Sequence, residues 1–496
     1  MFYSDILPLN TQTTLNVKLS DFSSGINTKI DTNLLPLNVA RNSYNFNFST
    51  GALTTGMGFK TLTLPTAYND KTFVIPEGVT GIERLWIYKR YDPDAKKYSP
   101  LIVIYTSEKE FYWALVETTS NQFFKLSNIT FSAAPIGINL RTNGTDKFFF
   151  CPTSSSDSLT VWDGVNLPQS YPSAPVLTSV DYHANRLFAT IGGDKSQVWF
   201  SSDLNPTNWT VSSFDGGFIE LTDPRGALNK VVSYNNYLYI IRELGITRVS
   251  GYGQQTDFVV RNLSQSNSRI FSNTASLCGD RLMMLCQDGI YQFDGLELRK
   301  LTLGFESLFE GVDNSSACGA FLDGKYYVAC RMNFNDYVSK NDDGLTNNAL
   351  IEYDIKTSEY SILRGVDIRG LTVLHHNNIH KLIANFGGDH IAKIGELTHD
   401  GKLFDVNTQK VWESPMTDMG YPGKNKIIKS ITLLNKFESK IAIFANGESY
   451  YFNIPASKNR AVKVPINLRC NTFAVGFYST ESDAYISNPQ MEINLE

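Results

Sequence analysis

The chain of 496 residues carries 49 Asp and Glu and 6 His, the side chains from which acid–base or metal chemistry would be built. Cleaving a glycosidic bond takes two carboxylates about 5 to 10 Å apart across a bound sugar. Glu220, Asp223, Glu243, Asp280, Asp288, Glu306 and Glu310 are available, but spacing singles out no pair among them. His375, His376 and His380 are of a metal-binding type, yet a strand–turn–strand there sends the rings to both faces, and no acidic residue is close in sequence. The patterns G-x-x-x-x-G-K-S/T, H-E-x-x-H and G-x-S-x-G do not occur, and the glycine-rich residues 51–58 (GALTTGMG) lack the Lys of a phosphate loop. Cys151, Cys278, Cys286, Cys318 and Cys330 sit in or beside apolar runs without a C-x-x-C pair, which predicts buried small hydrophobes. Lys424, Lys426, Lys429 and Lys436 form one basic cluster, either a solvated loop edge or a salt-sensitive contact with an acidic neighbour. The expectation is a protein with no catalytic residues, no cofactor and no metal, and not an enzyme.

What recurs is a strand pattern. In residues 233–251, SYNNYLYIIRELGITRVSG, polar turn residues bracket two short aromatic and β-branched runs, which reads as a hairpin. The pattern returns at 143–164, 184–202, 279–295, 323–354 and 377–395. Its first turns, near 143, 184, 235, 279, 323 and 377, are spaced 41, 51, 44, 44 and 54 residues apart, as propeller blades are. Apolar runs such as 231–234 and 275–278 supply the inner strand of a four-stranded blade. The spacing predicts an all-β chain with a β-propeller of about seven four-stranded blades, at 81–126, 139–172, 174–222, 229–264, 273–308, 314–365 and 370–397. A strand from residues 54–64 is positioned to complete the last sheet, which closes the ring and removes exposed edges. The Asn/Asp-rich insertion 333–348 reads as an exposed loop offered to another protein.

Composition agrees with strands. Aromatics make up 12 % of residues, with 25 Tyr and 31 Phe, and helical periodicity is nearly absent. Residues 401–496 hold 11 Lys and Arg against 9 Asp and Glu, a balance of +2, which leaves −7 for residues 1–400; neither part has the basic stripe of a nucleic-acid binder. Asp5 and the polar residues 10–16 interrupt any signal peptide, and no run is long enough to span a membrane, so the reading is a soluble protein made in a reducing compartment. Alternation over 429–434, 440–444, 450–454, 461–466, 473–478 and 490–495 predicts a small C-terminal β-sandwich. The expected division is an N-terminal extended arm and clamp at 1–64, the propeller at 65–400 and the sandwich at 401–496. An ordered arm must be held by the body or by a neighbour. In the clamp, Gly25, Gly51, Gly56 and Gly58 permit turns, and Asn38, Asn42, Asn45 and Asn47 can bond backbone in an irregular wrap.

Two resemblances attach to these segments. Residues 201–209, SSDLNPTNW, resemble the Asp-box of sialidases and related propellers, with Ser201, Asp203, Asn205 and Thr207 in place and Trp209 one residue late. In that family the box is a structural turn, so the match implies packing and not catalysis. The second involves both ends of the chain. The order F-S-S-G-I-N from Phe22, L-L-P, N-x-A-x-N-x-x-N from Asn38, G-A-L and G-x-G resembles the opening of bacteriophage tail propeller proteins. W-x-S-P-x-T-D-x-G from Trp412, K-x-I-K-S-I, F-x-V-x-F and the final I-S-x-P-x-x-x-I-x-L-E resemble their C-terminal domain.

The resemblance implies a virion protein of the phage tail, synthesised in the host cytoplasm. Its place is that of a nozzle or head-to-tail stabilisation protein below the portal and adaptor, extending the DNA channel. It implies a closed homo-oligomeric ring, commonly a homohexamer, with contacts to portal and adaptor proteins and to tail fibre or tailspike proteins. DNA passes through the lumen without specific binding, and the weakly acidic propeller accords with that. The alternatives are a glycan-binding, receptor-binding tail propeller, which the Tyr and Trp content favours, or a glycan-cleaving one.

Overall fold

The computed structural model describes residues 13–496 apart from 20, 32–33, 66–69, 213–214, 252–254, 335, 338–341, 343 and 458–459. Between residues 82 and 398 its strands form successive antiparallel sheets, at 82–125, 136–171, 177–220, 228–265, 270–300, 318–364 and 368–398. They are numbered here one to seven. In each of the first six, four strands pair in chain order. The turns joining first to second strand are the ones the repeat pattern begins on. Asn143-Gly144, Ala184-Asn185, Asn235-Asn236 and Asp323-Gly324 all have positive φ at both positions, the tight hairpin turn whose twist matches the strands.

The second strand of each sheet explains why the pattern is legible. Leu101–Thr106, Arg186–Ile191, Tyr237–Arg242, Arg281–Cys286 and Lys325–Cys330 are buried almost throughout. A strand side chain alternates between faces, so a strand covered on both faces reads as one apolar run. The faces go to different neighbours. Phe148 and Phe150 pack with Tyr105 and Phe111 of sheet one, while Phe149 packs with Leu187 and Ala189 of sheet three. Phe188 meets Leu238 and Ile240; Tyr239 and Ile241 meet Leu282 and Met284; Met283 and Leu285 meet Tyr326 and Val328; Tyr327 and Ala329 meet Leu382 and Ala384. Leu374 and Ile383 of sheet seven then meet Ile102 and Ile104 of sheet one, which closes the circle. This is the packing of a β-propeller, and the chain is all-β in its strand content.

Sheet seven takes its fourth strand from the other end of the chain. Gly58–Thr61 pairs with Ile394–Thr398, inside the 54–64 stretch expected to close the ring. Phe59 is fully buried there, 5.1 Å from the Phe386 ring. Gly58 has to be glycine, because a Cβ would lie 2.3 Å from the Lys402 carbonyl oxygen.

Two further sheets use residues from both ends. One holds Thr13–Lys18, Phe46–Asn47, Leu53–Thr55, Lys426–Asn435, Ala461–Cys470 and Tyr485–Leu495; the other holds Asn42–Tyr44, Lys410–Glu413, Ser439–Ala445, Glu448–Ile454 and Phe473–Ser479. They share one apolar cluster, including Ile428, Ile431, Ile441, Ile443, Val475, Phe477 and Ile493. The arm is therefore held by the body: Thr13–Lys18 runs antiparallel to Gln490–Leu495, while residues 1–12 of it lie outside the described residues. No helix among the described residues is long and apolar enough to cross a membrane.

Candidate functional site

Five of the seven candidate carboxylates are engaged in ion pairs. Asp223 faces Arg225 and the fully buried Arg242; Asp280 faces Arg281, Asp288 faces Lys300, Glu243 faces Arg269 and Glu306 faces Lys29. Glu220 and Glu310 lie on the exposed surface. The Asp-box stretch is a turn: Trp209 is 1 % exposed and packs between sheets two and three, and its Nε1–H donates to the Pro206 carbonyl. Asn205, rather than Asp203, accepts from the Thr207 amide, at 3.3 Å. Five cysteines are buried and Cys318 is half-buried; burial pushes the Cys470 thiol up to about 11.

Three expectations change. Lys426 does not belong to a solvated basic cluster: it is fully buried, and its Nζ donates to the carbonyls of Tyr421 and Lys424 at 2.7 and 2.9 Å. The His group does have acidic neighbours, brought by other sheets: Glu117 of sheet one bonds His376, and Asp323 of sheet six lies 3.7 Å from His380. The insertion 333–348 is not an outward loop in its described residues. Tyr337 stacks on Phe444 with centroids 4.3 Å apart, and its hydroxyl donates to the Ser414 carbonyl. A polar segment can pack inward when its charges find partners, which single-sequence polarity does not reveal.

Those partners form a dense polar site. Arg364, at the end of the outer strand of sheet six, has 5 % side-chain exposure and lies between Asp336 and Asp342 of the insertion, with Nη2 2.7 Å from Asp342 Oδ2. Its guanidinium sits 4.8 Å from the Tyr44 ring centroid and 4.3 Å from that of Phe334. Asn42 Nδ2 donates to Asp336 Oδ1 and, at 3.4 Å, to Glu413 Oε2. Glu413 is 1 % exposed and also accepts from the Tyr478 hydroxyl. Burial raises its carboxyl above the usual range, and Asp336 adds to the rise. A folded-state pKa above the unfolded value stabilises the fold below the ordinary carboxyl range, and that contribution is lost as pH rises through the raised value. The Glu413→Gln protein is therefore expected to gain on the wild type as pH rises above the ordinary carboxyl range of about 4.5. Denaturation midpoints across that rise check it, and a constant difference refutes it.

Around this site the two ends of the chain converge. Phe22 packs edge-to-face on Trp412 with centroids 4.8 Å apart, and both rings touch Phe477. Asn45 Nδ2 donates to the Gln409 carbonyl at 2.8 Å, and its Oδ1 accepts from the Arg364 amide at 2.7 Å. Leu53 is opposite Ile486. Gly25, with φ of 67°, passes the Tyr360 hydroxyl, which would lie 2.7 Å from a Cβ and which accepts from the Ile26 amide. Asn38, Asn45 and Asn47 bond backbone as expected, whereas Asn42 serves the carboxylates instead.

Other surfaces are open. In a four-stranded meander the first and third turns lie at the same end of the sheet. At that end of sheets two to five, Val165, Leu167, Leu204, Val259 and Leu296 are each more than 60 % exposed, at 69, 64, 68, 63 and 65 %. A groove of about 890 Å³ by sheets one and two is lined by Asn128, Ser132, Ser156, Asp157, Gln169 and Ser170. Lys230, on the first strand of sheet four, donates to the Ala275 carbonyl of sheet five at 2.9 Å. Burial pulls its ammonium down to about 8, against the opposing pull of Asp181.

No family model and no curated protein matches the chain. Solved structures with some likeness include BBS1N in complex with ARL6DN, at TM-score 0.41 and 10 % identity over 68 % of this chain and 96 % of that one. An exo-beta-1,3-galactanase from Phanerochaete chrysosporium has TM-score 0.27 and 10 % identity, covering 89 % and 100 %. KlHsv2 with loop 6CD replaced by a Gly-Ser linker has TM-score 0.31 and 10 % identity, covering 53 % and 80 %. Likeness of this degree carries no inference about what the chain does.

Proposed function

We propose that this chain is a structural protein of a bacteriophage tail, a seven-bladed propeller joined to a C-terminal β-sandwich, which assembles as a closed ring below the portal and adaptor and extends the DNA channel. The observation that supports this most is the meeting of the two sequence stretches that resemble tail propeller proteins. They stand almost 400 positions apart, from Phe22 to Trp412, yet their rings are in contact. The resembling residues thus form one structural unit that ties propeller and sandwich together, which is what a ring subunit under load requires. The ring is built head to tail, so its two contact faces differ. The exposed apolar rim near Leu204 and Val259 serves as one; the outermost strand Glu448–Ile454, with Tyr451 52 % exposed, serves as the other. Six copies and a lumen that passes DNA without gripping it complete the proposal.

Deleting residues 401–496 is a poor test, because strands from residues 13–55 pair with that segment. Surface substitutions are better. Purified wild-type protein is expected to form closed rings by mass photometry and to co-sediment with portal and adaptor. The double variant Leu204→Glu/Val259→Glu is expected to stay monomeric with an unchanged unfolding midpoint. Wild-type protein that remains monomeric and ignores portal and adaptor would sink the proposal. The groove beside sheets one and two favours a second reading, a glycan-binding tail propeller, which glycan-array binding by the isolated chain would support.

A further inference from the structure

The seam between sheets seven and one frames a half-open cavity of about 320 Å³, within the size range of small-ligand sites. Its walls carry Lys89, Lys97, His375 and His376 against a single carboxylate, Glu117. That carboxylate is already occupied. Its Oε1 accepts from His376 Nε2 and, at 3.2 Å, from Asn377 Nδ2, while Oε2 lies 2.6 Å from Lys97 Nζ. Burial would raise the Glu117 carboxyl, but Lys97 and His376 outweigh it and hold the group ionised. Lys89 is exposed and acts electrostatically on His375. His375 Nδ1 lies 2.9 Å from His380 Nδ1, one nitrogen donating and the other accepting; Asp323 stands on the far side, 3.7 Å from His380. Burial, His380 and Lys89 hold the His375 ring below the usual imidazole range, so the surplus positive charge of the cavity comes from Lys89 and Lys97 against Glu117, in a chain whose net charge is −5. Lys97 keeps two ammonium protons that Glu117 does not use.

We propose that this cavity binds an oxyanion, either the phosphate of a monoester or the carboxylate of an acidic sugar, held by Lys89, the free protons of Lys97 and the outer nitrogen of His375. Glu117 and His376 are positioning residues: they fix Lys97 at the wall. The proposal does not depend on ring assembly.

The test is calorimetric titration of the full chain with inorganic phosphate and, separately, with glucuronate, at low ionic strength so that screening does not hide the contact. Saturable binding of at least one probe is expected, weakened about tenfold or more in Lys89→Gln and in Lys89→Gln/His375→Gln, as for loss of a charge-assisted hydrogen bond. Both residues are exposed, so unfolding midpoints should not move. Lys436→Ala, at an exposed cation on the C-terminal sheets, should bind like wild type. Tighter phosphate binding assigns a phosphorylated ligand, and tighter glucuronate binding an acidic sugar. Absence of saturable binding, or equal weakening by Lys436→Ala, overturns the proposal.

Discussion

Replacing Arg364 by Met is expected to cost about 3 to 5 kcal/mol of folding free energy, the range for removing one partner of a buried ion pair. Methionine keeps much of the contact with Tyr44 and Phe334 but leaves Asp336, 6 % exposed at its side chain, and Asp342 without their cation. Glu413 is close enough to raise the strain further, since its carboxyl is already pushed up beside Asp336. The loss should shrink as pH falls. Glu413, whose raised carboxyl already feels Asp336, is pushed further up beside carboxylates that have lost their cation, so acid favours the folded form and the deficit is fully present only at higher pH. Adding Asp336→Asn is expected to recover part of the loss, because it removes a stranded charge while keeping an acceptor for Asn42. Denaturant titration of the two single variants and the double variant measures the coupling. A loss of less than about 1 kcal/mol, the level of an exposed pair, would show that the site is wetter than its burial implies.

Trp412→Ala is expected to cost about 3 to 5 kcal/mol, the range for truncating a buried large aromatic. Trp412 is fully buried against Phe22 and Phe477, and no neighbouring backbone is free to collapse into the space, because strands from both chain ends frame it. The effect is predicted to reach beyond the C-terminal sheets. Protease cleavage in residues 13–55 should accelerate, since those strands lose the surface they pair on. Phe22→Ala should be partly redundant with Trp412→Ala, with a coupling of about 0.5 to 1.5 kcal/mol for the edge-to-face pair. Strict additivity would mean that the two ends dock through the strand ladder and not through the rings. Far-UV circular dichroism is the suitable probe, because removing Trp412 alters the fluorescence itself.

The propeller was legible in the sequence because its key strands bury both faces. Tyr237–Arg242 and its counterparts are short apolar runs between turn residues, and those turns need positive φ, which Asn and Gly supply cheaply. Local chemistry therefore marks each sheet. The six C-terminal strands were legible for a related reason, as with Ala461–Cys470, where exposed and less exposed positions alternate. The closing strand Gly58–Thr61 also fell within the stretch that ring closure demands.

Partnership was not legible in the same way. Asp336, Asp342 and Tyr337 sit in a segment whose polarity reads as solvent-exposed, and only folding brings Arg364, Asn42 and Phe444 to them. Lys426 looks like one more surface lysine until two carbonyls close around its ammonium. Glu117 and the His375–His376 pair are more than 250 positions apart and meet only because the last sheet packs on the first. Amino-acid order alone determined the strands, their turns and their repetition, since each of these is set within a few residues by side-chain alternation and backbone freedom. Tertiary structure decided which charges face each other and which cavity they frame, because a charge is stabilised by whatever lies beside it in space, at any distance along the chain.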